Sequence, residues 1–176
     1  MALDLEFLAP FASAAVTGWA TRTLARRWLG EQASTPGWAV IRPSAMHWIG
    51  LVGAGGIVGM LAYVGLFIGS SRSDAVFQMR MLWLLVTGFT VSAGVCLWQM
   101  RQIVRTDARW RGSQVSWQPA NGGARLVRSL TEVAAMHRPW FGPVRIAFSD
   151  GAELRIDPYA DKVPELWNRI VGVNEH

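Results

Sequence analysis

The chain has 176 residues, 51% of them hydrophobic and only 16% charged. Its mean hydropathy of +0.22 excludes a disordered chain, which needs low hydrophobicity and high charge. One cysteine, Cys96, excludes a disulfide framework and a cysteine-rich zinc site.

Seventeen basic and 12 acidic residues leave a net charge of +5. A nucleic-acid binder concentrates such charge on one face or run. Here the arginines bracket two apolar stretches instead, with Arg22, Arg26, Arg27 and Arg42 upstream and Arg101, Arg105, Arg109 and Arg111 downstream. That distribution marks the cytoplasmic flanks of membrane-spanning helices, and no nucleic-acid partner is expected.

The first 36 residues form an N-terminal helix and a linker. Asp4 and Glu6 precede the apolar part and the arginines follow it, the reverse of a signal peptide. Arg22 and Arg26 share a helical face beside Trp19, Leu24 and Trp28, as in a helix lying on the bilayer surface. A third span over residues 5–21 is the competing reading and would put the N-terminus outside. Ser34-Thr-Pro-Gly37 then breaks the chain.

Residues 37–100 hold a transmembrane hairpin. The uncharged stretches 48–68 and 81–100 each reach about 30 Å, the thickness of a hydrocarbon core. The loop between them carries Arg72 and Arg80 against Asp74, less positive than either flank. Both ends of the hairpin are therefore expected in the cytoplasm. The first span contains Gly55 and Gly59, then Gly65 and Gly69, two GxxxG spacings that let another helix approach closely. The approaching helix is expected to be the second span, through Gly88, Ser92 or Ala93, with homo-oligomerisation or docking on a partner's helix as alternatives. Neither span carries an Asp, Glu, Lys, Arg or His, which argues against an ion pathway built from charged side chains.

Residues 101–176 change texture to short alternating runs broken by Gly and Pro, a signature of β-structure. In Val144–Ile156, a three-residue loop of Ser149, Asp150 and Gly151 pairs Phe148 with Ala152, Ile146 with Leu154 and Val144 with Ile156. All six then share one face. Arg145, Glu153 and Arg155 fall on the other. A second hairpin is expected from Arg109–Trp117, through Pro119–Gly123, to Ala124–Leu130. The stretch Thr131–Met136 reads equally as strand or helix. Val163, Leu166, Trp167, Ile170 and Val171 follow helical spacing, with Asp161 as N-cap.

Two spans, short strands, Ser149-Asp-Gly151 in a late hairpin and a terminal amphipathic helix around Trp167 resemble the bacterial PH-like domain of small membrane proteins. Ser129-Leu-Thr-Glu-Val-Ala135 is similar to that family's strand before the last hairpin. The resemblance implies an α+β membrane protein: a helical hairpin followed by a small antiparallel β-sandwich or partial barrel, closed by the C-terminal helix. It also implies a bacterial inner membrane and a non-catalytic scaffolding or recognition role. Arg109 and Arg111 stand where classical members carry a basic cluster, but without a lysine pair, so inositide specificity is not carried over.

No catalytic constellation emerges from the residues. His47, His137 and His176 lack metal-ligand spacing, and no nucleophile elbow occurs. No cofactor is expected. Arg101, Arg105, Arg109 and Arg111 are the candidates for holding an anionic lipid surface. Trp140 and Phe141, between Pro139 and Pro143, are the candidates for a protein contact. The expected partners are the bilayer and an unidentified protein. Docking as an accessory subunit through the glycine face, or a holin-like pore, are the alternative functions.

Overall fold

The computed structural model describes residues 5–69, 73–119, 122–140 and 142–174. The chain divides into two units. The first takes the described residues up to Gly30 together with His47–Trp98, and the second takes Glu31–Met46 together with the described residues from Gln99 onward. The linker after the first helix therefore belongs with the C-terminal head, which shifts the boundaries expected at residues 36 and 100.

The first unit is helical. Helix α1 spans Leu5–Leu29, and α2 spans Ala45–Tyr63 and continues as a π-helical turn over Val64–Ile68. Helix α3 spans Ala75–Thr106, with its residues from Gln99 onward counted in the second unit. The stretches Ala45–Ile68 and Ala75–Thr106 are long and apolar enough to cross a membrane. The helix extends past residues 81–100 at both ends because nothing in 75–80 or 101–106 breaks it. It stops at Asp107, which takes a left-handed conformation at φ 39°.

Small residues set the packing of this unit. A Cβ on Gly55 would stand 2.5 Å from Thr21 Oγ1 of α1, and one on Gly59 would overlap Thr17 Oγ1 outright. Gly56 meets the backbone of Ala14, and Ser13 Oγ donates to the Gly59 carbonyl at 3.0 Å. The glycine face of α2 is thus covered by α1, not by Gly88, Ser92 or Ala93. Added Cβ atoms at Gly88 and Gly94 would meet open space, and Ser92 bonds back to Gly88 within its own helix. Helix α3 touches α2 elsewhere. Gly65 lies against Leu82 and Trp83, while Cys96 Sγ donates to the His47 carbonyl at 3.3 Å.

The second unit is the head. Two antiparallel sheets are built from β1 (Ala39–Val40), β2 (Arg109–Arg111), β3 (Gln114–Trp117), β4 (Leu126–Ser129), β5 (Val133–His137), β6 (Val144–Phe148) and β7 (Glu153–Ile156). The first sheet has the order β1-β2-β3-β4 and the second β5-β6-β7, and neither closes into a barrel. Arg109–Trp117 is not one strand. Gly112 at φ 58° turns it back on itself, pairing Trp110 with Val115. The ambiguous segment resolves into a 3-10 turn, Leu130–Glu132, capped by the Ser129 hydroxyl, followed by β5.

The last hairpin has the register that its apolar alternation requires. Val144 pairs with Ile156 and Ile146 with Leu154, and Phe148 N–H donates to the Ala152 carbonyl at 2.9 Å. Gly151 sits at φ 82°, where a side chain would be strained. Phe148, Ile146, Val144, Leu154 and Ile156 are buried, while Arg145, Glu153 and Arg155 are exposed.

Both sheets contribute to one core. Trp117 of β3 stacks on Phe148 of β6 with ring centroids 5.1 Å apart. Helix α4, Val163–Asn174, adds Val163, Leu166 and Ile170, with Trp167 partly buried beside them. Each fully buried Leu or Ile stabilises the head by about 1.5–3 kcal/mol relative to an exposed one. The first carbonyl of α4 to accept a helical bond is that of Lys162, so Asp161 lies one residue before the cap. Its carboxylate instead accepts the Lys162 N–H, and its own N–H donates to the Arg42 carbonyl at 2.8 Å. Arg42 belongs to the same upstream segment as β1 and buried Ile41.

Candidate recognition surfaces

The four downstream arginines do not form a single cluster. Arg101 and Arg105 lie one helical turn apart near the end of α3, with Arg105 exposed and Arg101 half-buried. Arg109 is engaged inside the head. It grips the Asp107 carboxylate with Nε at 3.0 Å and Nη2 at 2.7 Å, and its other nitrogen reaches the Thr35 hydroxyl. Arg125 pairs with the same carboxylate. One buried-side acid thus neutralises two cations, and Arg109 serves the fold rather than a lipid surface. Arg111 is exposed on β2, beside Gly37.

Trp140 stands 91% exposed in the connection between β5 and β6. Phe141 lies outside the described residues. The ends of β5 and β7 and the start of β6 fall at the same end of the three-stranded sheet, because alternate strands of an antiparallel sheet reverse direction. That end holds a shallow hollow of about 180 Å³ lined by Arg138, Val144, Pro158, Val163, Pro164 and Trp167, with Asn168 at its edge. Tyr159, 69% exposed, follows Pro158 in the next connection. Arg138 has no carboxylate partner among the described residues, whereas Arg128, Arg145, Arg155 and Lys162 are all ion-paired. Sequence reasoning picked out Trp140 through its flanking prolines. It passed over Arg138 and Tyr159, whose proximity depends on strand topology.

At the opposite end, the β6–β7 turn is held by charge. The Asp150 carboxyl accepts the Ala152 N–H and pairs with Arg128 at 2.6 Å, and these two contacts, in that order, hold it below the usual carboxylate range. Arg155 does the same for Glu153. Among the described residues no three His, Cys, Asp or Glu side chains gather where a metal ion would sit. His47 is buried in α2, His137 is exposed at the end of β5, and His176 lies outside the described residues. No protein family, curated protein or solved structure was found to match this chain.

Proposed function

We propose that this protein is a membrane-anchored recognition module, without catalytic activity, whose PH-like head holds a protein partner at the cytoplasmic face of a bacterial inner membrane. The exposed Trp140, two residues along the chain from Arg138 of the hollow, carries this reading. A large exposed aromatic ring close in sequence to an apolar depression, whose cation has no carboxylate partner among the described residues, has the chemistry of an interface anchor. The occupant is expected to be an apolar segment bearing a carboxylate. Two antiparallel sheets sharing a core with a terminal amphipathic helix support the PH-like resemblance.

Connectivity supports the hairpin. Residues 39–42 and 108–161 are knitted into one head by the β1–β2 ladder and the Arg42–Asp161 bridge. A chain that leaves such a body after Met46 and re-enters it at Gln99 crosses a bilayer an even number of times. Arginines at both flanks favour the cytoplasm as the shared side. Docking of a foreign helix on Gly55 and Gly59 would have to displace α1. Any hold on anionic lipid falls to Arg105 and Arg111, the exposed pair among the four arginines.

The test is co-purification from membranes in mild detergent, comparing the wild type with Trp140→Ala and Arg138→Glu. Both positions are solvent-facing, so the head should melt as before while a specific partner is lost. Retention of the same partners by both variants would overturn the reading.

A further inference from the structure

We infer that α1 is a third membrane-crossing helix, its outward face covered by lipid acyl chains, so that the chain begins on the side of the bilayer opposite the head. This rests on the reading of α2 and α3 as spans.

The argument starts from how α1 lies on α2. Ser13 and Thr17 meet Gly59, Ala14 meets Gly56, Gly18 meets Val52, and Thr21 meets Gly55. Further along, the Arg26 guanidinium lies 5.7 Å from the Trp48 ring centroid. As the residue number rises in α1 it falls in α2, so the helices are antiparallel and stay together from residue 13 to residue 26. That is about 20 Å of axis at 1.5 Å per residue. A helix lying in the membrane plane meets an upright one only where they cross, over a turn or so. Contact sustained over this length requires α1 to stand beside α2.

The surface that α1 turns away from α2 suits hydrocarbon. Leu8, Phe11, Val16 and Trp19 are exposed, and no ionisable residue occurs between Phe7 and Thr21. The hydroxyls of Ser13, Thr17 and Thr23 are satisfied within the helical unit. Ser13 bonds to Gly59, Thr17 to the Ser13 carbonyl at 2.7 Å, and Thr23 to the Trp19 carbonyl at 2.9 Å. Backbone and side-chain donors in a lipid-facing helix need such partners, since hydrocarbon offers none. The uncharged stretch 7–21 reaches about 22 Å, with Glu6 at one end and, at the other, Arg22 and Arg26, whose stems are long enough to snorkel to the interface. Arg26 over Trp48 brings the basic end of α1 level with the start of the apolar run of α2, where the flanking charge belongs.

The experiment labels single cysteines with a membrane-impermeant maleimide, in the full chain carrying Cys96→Ala and in sealed vesicles of known sidedness. Probes are placed by Ala2→Cys, Ser73→Cys and Ser149→Cys, with Asp4→Cys as a second reporter for the N-terminus. The inference expects Ala2→Cys and Asp4→Cys to label together with Ser73→Cys, while Ser149→Cys labels only after permeabilisation or from the other side. Labelling of the two N-terminal probes with Ser149→Cys, opposite Ser73→Cys, would overturn the third crossing and leave the hairpin standing. Labelling of Ser73→Cys and Ser149→Cys from the same side would overturn the hairpin, and the inference with it.

Discussion

The helical unit and the head solve the packing problem in opposite ways. In the head, large side chains converge: Trp117, Phe148, Leu154, Leu166 and Ile170 are all essentially inaccessible. In the helical unit the closest contacts are between the smallest groups, glycines against threonines, while Phe11, Trp19, Phe77 and Leu84 point outward. A water-facing fold gains most by hiding apolar area. Helices in lipid gain nothing from that and associate through close backbone approach instead. One chain therefore contains two cores that respond to different kinds of substitution.

The sharpest way to break the comparison is to truncate the head's core. Phe148→Ala removes the ring stacked on Trp117 and should cost about 3–5 kcal/mol, enough to unfold a small domain. Near-UV circular dichroism and thermal melting of the detergent-solubilised protein would register the loss. A variant that melts within a few degrees of wild type would mean that the sheets do not depend on this core.

In the helical unit, adding one methyl group should do what removing a ring does in the head. Gly59→Ala drives a Cβ into Thr17 and should cost about 1–3 kcal/mol as overpacking. Gly94→Ala, in α3 with open space around it, should be neutral or stabilising by up to about 1 kcal/mol from helix propensity. Adding Thr17→Gly to Gly59→Ala should recover part of the loss. Equal effects from the two alanine variants, read by melting in detergent, would remove the contrast.

The smallest effect lies at the charged hairpin tip. The Asp150 and Glu153 carboxyls titrate below their unfolded values, so their contribution is present above the ordinary carboxylate range and fades as pH falls through their lowered folded values. The head's urea midpoint should therefore drop slightly between about pH 6 and pH 3, and less in Arg128→Ala, which releases Asp150. An unchanged pH dependence in that variant would assign the slope to other groups.

What could be read from the residues follows the same division. Alternation and a single well-placed glycine determine the register of β6 and β7, because a shift by one residue would turn Ile146 and Leu154 to water. The buried face of α4 follows from its spacing for a similar reason, except that Val171 is exposed. β1 escapes notice since two residues carry no periodicity, and the single strand expected over Arg109–Trp117 is two strands turning at Gly112. The glycine spacing announced a close helix contact but not its partner. The complementary signal was present in α1, where Ser13, Thr17 and Thr21 recur every four residues, the period of Gly55 and Gly59. Arg109 misled because its charge, visible in sequence, is already matched by Asp107 two residues earlier.

The pairing of Ala39 with Trp110 has a bearing on biosynthesis. The outermost strand of the four-stranded sheet emerges from the ribosome before either half of the hairpin, and its mate emerges after both. Until Trp110 is made, the edge of Ala39–Val40 that pairs with it has no strand partner. Completion of the head thus waits until both intervening helices have been synthesised.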